Sequence, residues 1–304
     1  MKCLITGGAG FIGSNLALEL EKHEHEVVVV DNLLTGNKNN LEGFKGKFIE
    51  LDISEPFDIN NNFDIIFHQA AITDPRHPND EETYNKNIQG FNNIINLAQK
   101  NNAKLIYAST AGLYGNGSTP MKEDQEKEIL SVYGKSKIEM DEIAASLFDK
   151  MHIVGLRYFN VFGPREMYKG RAASMIYHLG KQIKSDNKPR IFKFGEQKRD
   201  HIYVKDAVEA TIMAVNIKKS CIINVGTGIA TTFNDLIKIL NEVLGKNLEP
   251  EYFDMPYNPK TYQSNTQADT TKTENILGFK SKWSLKDGIK DYFSWLDKNG
   301  WDNE

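Results

Sequence analysis

Tyr133 and Lys137 stand four residues apart in the stretch VYGKSK, a spacing that puts both on one face of a helix. At its ordinary pKa near 10 a phenol is a poor base, and a neighbouring ammonium stabilises the phenolate and lowers that value. The pair suits proton exchange with a secondary alcohol being oxidised or reduced beside a nicotinamide, whose ribose Lys137 can also bind. Ser109 and Thr110, in YASTAGLYG, close a predicted strand at the edge where open sheets bind ligands, and Thr110 is placed to orient a substrate hydroxyl towards Tyr133. A further lysine, Lys169, follows a Gly-Pro turn in NVFGPREMYKGRAAS. Lysines are ordinarily solvated surface residues, and residue type alone leaves Lys169 among them.

A second constellation lies at the start of the chain. LITGGAGFIG follows a predicted strand and opens a helix, with glycines at Gly7, Gly10 and Gly13. Small residues there allow a tight turn and close approach of the backbone to a pyrophosphate, whose charge the helix N-terminus stabilises. Asp31 ends the next strand, 18 residues after Gly13, where a carboxylate binds the hydroxyls of an adenosine ribose and repels a 2′-phosphate. Asp31 favours NAD. Lys38, shortly after it, offers a cation for a 2′-phosphate and leaves NADP open.

These groups need a scaffold that brings strand ends together. Continuous apolar runs (KCLIT, EVVVVD, KFIEL, FDIIFH, AKLIYAS, HIVGLRYFN) alternate with helical stretches from FIGSNLALELEKH to SVYGKSKIEMDEIAASLFDK. The alternation predicts an α/β fold, a Rossmann-type doubly wound parallel sheet over residues 1–160. Residues 161–304 read as a smaller mixed α/β lobe for substrate, with RIFKFG and CIINVG as strands and some segments returning to the first domain. NKNN and INNNF read as polar loops, DYFSWL and HIYV as core packing, and NGWDNE as a frayed tail. The net charge of −4 argues against non-specific nucleic-acid binding. Two distant cysteines, Cys3 and Cys221, make a disulfide framework or a metal site unexpected and suit a reducing compartment. With no apolar span of membrane length and no signal peptide, a cytoplasmic protein is expected.

Taken together, the glycine spacing, FHQAA, the Ser/Thr ahead of LYG, the Tyr133/Lys137 pair, RYFNVFGPR and KRDHIYVKDAVEA resemble the extended short-chain dehydrogenases/reductases, the group of nucleotide-sugar epimerases and dehydratases. That resemblance implies a nicotinamide dinucleotide lined by Phe11, Ile12, Asn32, Asp52, Ile53, Gln69, Ala70, Ala71, Thr73, Asn87, Ser109 and Val161 in addition to the residues above. It also implies a sugar nucleotide contacted by Thr110, Asn160 and Arg199, with Arg199 on a phosphate.

Dehydratases of the group carry an Asp-Glu pair directly after the Ser/Thr, where this chain has Ala111 and Gly112, so an epimerase is expected. GPREMYKGRAASMIYHL and YQSNTQADTTK resemble the ADP-glycero-manno-heptose 6-epimerases, which implies that Lys169 is a second proton-exchanging group opposite the tyrosine. It further implies a sugar pocket holding Arg171, His178, Phe192, Phe194, Gly195 and Tyr262. Arg171 stands where that family usually has a small residue, and Leu34 and Ile59 where a lysine would help hold a 2′-phosphate. A UDP-hexose 4-epimerase is the alternative, and a non-catalytic dinucleotide sensor a remote one. The family leans towards dimers or larger homo-oligomers.

Overall fold

The computed structural model describes residues 1–304 apart from 60–61, 75–76, 257, 259–261 and 302–304. Along the chain run β1 (Lys2–Thr6), α1 (Phe11–Lys22), β2 (Glu26–Asp31), β3 (Lys47–Glu50), β4 (Ile65–His68), α2 (Asp80–Asn101), β5 (Lys104–Thr110), α3 (Val132–Ala145) and β6 (Ile153–Tyr158). There follow β7 (Asn160–Phe162), α4 (Met175–Lys184), β8 (Arg190–Phe192), β9 (Lys198–Tyr203), α5 (Val204–Met213), β10 (Cys221–Val225), β11 (Ala230–Thr232), α6 (Phe233–Leu244), β12 (Glu251–Phe253), α7 (Thr271–Leu277) and α8 (Leu285–Asn299).

One seven-stranded sheet has the order β10-β6-β5-β4-β1-β2-β3, parallel throughout. Successive residues of a strand point to opposite faces, so each strand feeds two cores. Cys3, Ile5, Val27, Val29 and Phe67 pack with α1 and α5, whereas Leu4, Val28, Val30, Ile66 and Leu105 pack with α2 and α3. Cover on both faces is why EVVVVD is continuously apolar. Val27 to Val30 are at most 3% exposed. Burial of each stabilises the fold by about 1.5–3 kcal/mol before chain entropy is counted. The strand order reverses between β1 and β4, which opens a crevice at their C-terminal ends.

The remaining strands form a β11-β9-β7 sheet and a β12-β8 pair, packed with α4, α6 and α8 on a core continuous with the α1 side. Here the structure departs from the sequence expectation. HIVGLRYFN is two strands: β6 ends at Tyr158, the Phe159 N–H donates to Val225 O (3.0 Å), and β7 pairs with β9 instead. CIINVG is a segment from beyond residue 160 that returns to the main sheet, as its edge strand β10. NKNN is no loose loop, because Asn40 is buried and its Nδ2 donates to Ala9 O (3.0 Å). Trp301 is not frayed: its ring packs on Phe293 (4.7 Å between centroids) and its carbonyl accepts from the Tyr177 hydroxyl (2.6 Å). Residues 302–304, like 60–61 of INNNF, lie outside the described residues. HIYV and DYFSWL do pack in the core, through Ile202, Tyr203, Tyr292 and Phe293. Both cysteines are free. Among the described residues no helix is long and apolar enough to cross a membrane.

Candidate active site

Helices α2, α3, α4, α6 and α8 begin with a side chain accepting a backbone N–H, from Asn79, Ser131, Ser174, Thr232 and Ser284. α1, like α5 and α7, has no side-chain cap, and its own cap residue is Gly10. Its first N–H groups face the crevice as an anion site. Gly7 sits at φ +68°, and a Cβ there would lie 2.5 Å from Ala70 N. A Cβ on Gly13 would lie 2.2 Å from Gly7 O, so only glycine lets α1 approach the turn. Asp31 ties this turn to β2, accepting from Ala9 N (3.0 Å) and Leu33 N (2.8 Å). Burial pushes its carboxyl up, against those two bonds.

Beyond Asp31, the Asn32 amide donates to Asp52 (3.1 Å), which also accepts from Ser54 and Lys86. Burial raises the Asp52 carboxyl, but these donors outweigh it and bring it down to about 2. Ile53 packs at Gly90 of α2. Lys38 is exposed, paired with Glu50 (2.9 Å) and lying over the Phe48 ring. Asn87 is buried and grips Ile72 through both N–H (2.8 Å) and carbonyl (3.2 Å), which fixes the segment bearing Gln69, Ala70, Ala71 and Thr73. Ser109 Oγ and His68 Nε2 are buried without a hydrogen-bond partner among the described residues, on the strands flanking the crevice. An uncapped helix, a glycine cradle and an orphaned hydroxyl fit a dinucleotide.

On α3, Tyr133 and Lys137 lie one turn apart. The Lys137 ammonium is buried, donates to Ala108 O (2.8 Å) and lies 5.9 Å from the Tyr133 ring centroid. Burial pushes the Tyr133 phenol up to about 12, against a hydrogen bond from Thr110. Burial brings Lys137 down to about 8, against the charge of Asp141. This corrects the expectation that the ammonium lowers the phenol: Lys137 satisfies itself on a carbonyl, as a buried cation must. Behind it, Asp141 pairs with Arg157 (2.9 Å) and accepts from the Tyr107 hydroxyl (2.8 Å), while Arg157 also donates to Tyr114 (2.9 Å).

Lys169 lies in a 3-10 turn (Glu166–Ala172) after β7, in a segment laid over α1. Asn15 donates to Pro164 O (3.0 Å), Arg165 donates to Asn40 O (3.0 Å), and the Lys169 ammonium stands 5.7 Å from the centroid of the Phe11 ring. Burial lowers its pKa, against the charges of Glu166 and Asp74. The structure thus leaves Lys169 half-buried, at the head of α1. Arg171, two residues on, is exposed and paired with Asp74 (3.0 Å).

In the second lobe the Tyr262 ring meets Phe192 (5.7 Å) and the Arg199 guanidinium (5.2 Å), and Arg199 also donates to Ser264 O (2.9 Å). Burial lowers the Arg199 pKa, against Tyr262. Asn160, next to the half-buried Val161 on β7, accepts from Thr266 (2.8 Å). His178 stands in the first turn of α4 with its ring 5.4 Å from that of Tyr177. Phe194 is set apart from the Phe192–Tyr262–Arg199 cluster: it is 71% exposed, beside Gly195 at φ +76°. No group of three or more His, Cys, Asp or Glu able to hold a metal occurs among the described residues.

Residues 3–226 match the model of the NAD dependent epimerase/dehydratase family. The chain belongs to that family. It is 37% identical to the ADP-L-glycero-D-manno-heptose-6-epimerase of Brachyspira hyodysenteriae, covering 98% of each chain. It is 36% identical to a putative UDP-glucose 4-epimerase of Methanocaldococcus jannaschii, over 97% of this chain and 98% of that one. Among solved structures it superposes on the Helicobacter pylori ADP-L-glycero-D-manno-heptose-6-epimerase with a TM-score of 0.91 and 39% identity, over 97% and 96% of the two chains.

As a member of this epimerase/dehydratase family the chain uses a nicotinamide dinucleotide, for which the α1 cradle is the matching feature. Its nucleotide-sugar epimerase character accords with Ala111 and Gly112 after Thr110, where no carboxylate stands to expel water. Sequence reasoning missed Asp141, Arg157, Glu166 and Asp200. Asp141 had a signal, being four residues beyond Lys137 and so on its face. Asp200 had one in adjoining Arg199: it is fully buried and accepts from Thr227, Gly228 and Ala268, joining the 227–228 turn and residue 268 to β9.

Proposed function

We propose that this epimerase inverts C6 of an ADP-glycero-manno-heptose through a transient ketone. The observation that carries the reading is Lys169, an ammonium lowered by burial and set over Phe11 at the head of α1. Identity to heptose epimerases over almost the whole chain supports it. Bound in the cradle, the nicotinamide dinucleotide would accept the carbinol hydride and return it to the same carbon. Tyr133 takes the proton of the substrate hydroxyl as the carbon is oxidised, and Thr110 orients that hydroxyl. Lys137 holds the ribose side of the cofactor. Once the ketone presents its other face, the new alkoxide points away from Tyr133, and Lys169 gives it a proton. Arg199, with Tyr262 against its face, would take a phosphate of the nucleotide.

We propose NAD as the form bound, because the Asp31 carboxylate ends β2 beside the glycine turn, where it would meet the ribose hydroxyls, and Lys38 is engaged by Glu50. Free Cys3 and Cys221 suit the cytoplasm. Similarity to a putative UDP-glucose 4-epimerase favours one rival, a hexose flipped in the pocket and served on both faces by Tyr133 alone. Incubating the purified protein with ADP-heptose, UDP-glucose and UDP-N-acetylglucosamine and resolving epimers by NMR separates the two. Epimerisation of ADP-heptose at C6 is expected, and turnover confined to UDP-hexoses would reject the reading.

A further inference from the structure

We propose that Glu166 is a positioning residue for Lys169, clipping together the two ends of segment 163–174 so that the ammonium is held at the head of α1. The inference rests on the reading of Lys169 as the second proton-exchanging group. Glu166 is fully buried, and a carboxylate is retained in such a place only if its oxygens are satisfied. Three donors satisfy it: Gly163 N (3.2 Å) from one end of the segment, and Ser174 N (2.8 Å) and Ser174 Oγ (2.9 Å) from the other. Ser174 is also the cap of α4, so the clip fastens the segment to a rigid helix. Between the clipped ends the backbone breaks helical geometry at Gly170 (φ 55°), and Lys169 is the residue just before that break.

Charge gives the clip a second consequence. The groups facing Lys169 are Glu166 from its own segment and Asp74 from the segment after β4, and Asp74 is shared with Arg171. From α8, Tyr292 faces Glu166. Burial lowers the Lys169 ammonium, and Glu166 and Asp74 hold it up. Neutralising Glu166 therefore moves Lys169 to a lower pKa, whereas loosening the clip with the charge kept does not.

The test compares Glu166→Gln and Ser174→Ala with wild type in the full chain with NAD. Two experiments are run: kcat and KM for ADP-heptose are measured against pH, and the pH midpoint of Lys169 labelling by acetic anhydride is followed by mass spectrometry. Glutamine presents an NH2 to the N–H and hydroxyl donors that the carboxylate accepts. Glu166→Gln should lower kcat by about 10-fold or more with little change in KM, and move the labelling midpoint to lower pH. Ser174→Ala removes one donor and keeps the charge, so kcat should fall while the midpoint stays; it carries the test if the glutamine variant does not fold. Wild-type kcat in Ser174→Ala, or an unmoved midpoint in Glu166→Gln, would overturn the inference. The underlying reading fails separately, by an active Lys169→Met.

Discussion

Burial pushes the Tyr133 phenol up to about 12, so the phenolate that takes the substrate proton in the proposed step forms only with a positive charge brought beside it. Replacing it with phenylalanine removes that oxygen and little else. Tyr133→Phe should lower turnover by about 10²-fold or more, with the NAD dissociation constant from calorimetry nearly unchanged. Retention of more than a few per cent of turnover would remove Tyr133 from the proton-exchanging role. Lys137, brought by burial down to about 8, is charged below that pH and neutral above it. NAD affinity should weaken as pH rises through about 8, and this dependence should vanish in Lys137→Met. An identical pH profile in the two proteins would contradict the assignment. Both residues were legible in the sequence because their relation is local, one helical turn. The Asp141–Arg157 pair was not, since its partners come from α3 and β6 and meet only once those elements pack.

At the scale of elements, the turn into α1 was legible for the same reason, being a strand end, three glycines and a helix start in contiguous chain. Gly13→Ala puts a Cβ 2.2 Å from Gly7 O, so α1 must shift away from the turn, and NAD binding should weaken in calorimetric titration. Unchanged affinity would separate the cradle from the cofactor. α3 is fastened to the sheet by the buried Asp141–Arg157 pair, whose side chains are 4% and 3% exposed. Asp141→Asn leaves the guanidinium without its counter-charge and should destabilise the chain by about 3–5 kcal/mol in urea unfolding. The division of HIVGLRYFN between two sheets could not be read from its apolar pattern. The run Ile153–Phe159 is buried without a break, and the switch at Phe159 depends on Val225, more than 60 residues away. The same non-local pairing makes CIINVG the edge of the main sheet.

For the whole molecule, the doubly wound sheet followed from alternating runs, whereas the second lobe was only outlined, because β7, β11 and β12 are three residues each and carry no periodicity of their own. Stability should show the mark of two histidines in the two lobes. His68 is lowered to about 3 by burial and then by the charge of Lys137, and His201 to about 3 by burial and then by Arg199. Both are neutral in the folded chain, while the unfolded chain binds protons from about 6.5 downward. Their contribution is therefore complete above about 6.5 and is lost as pH falls towards 3, with a slope of up to about 1.4 kcal/mol per pH unit for each. Asp31, Glu166 and Asp200, raised by burial, act in the opposite sense as they protonate in the folded chain. Urea midpoints should fall between pH 7.5 and 6, and constant midpoints would mean that the histidines are not held neutral. The central claim, that two groups on opposite faces exchange protons at C6 of a heptose, is tested most directly by Lys169→Met. With ADP-heptose as substrate the variant should bind nucleotide normally and epimerise about 10²-fold or more slowly than wild type. Wild-type epimerisation of ADP-heptose by Lys169→Met, or full activity of the variant on UDP-glucose, would contradict it.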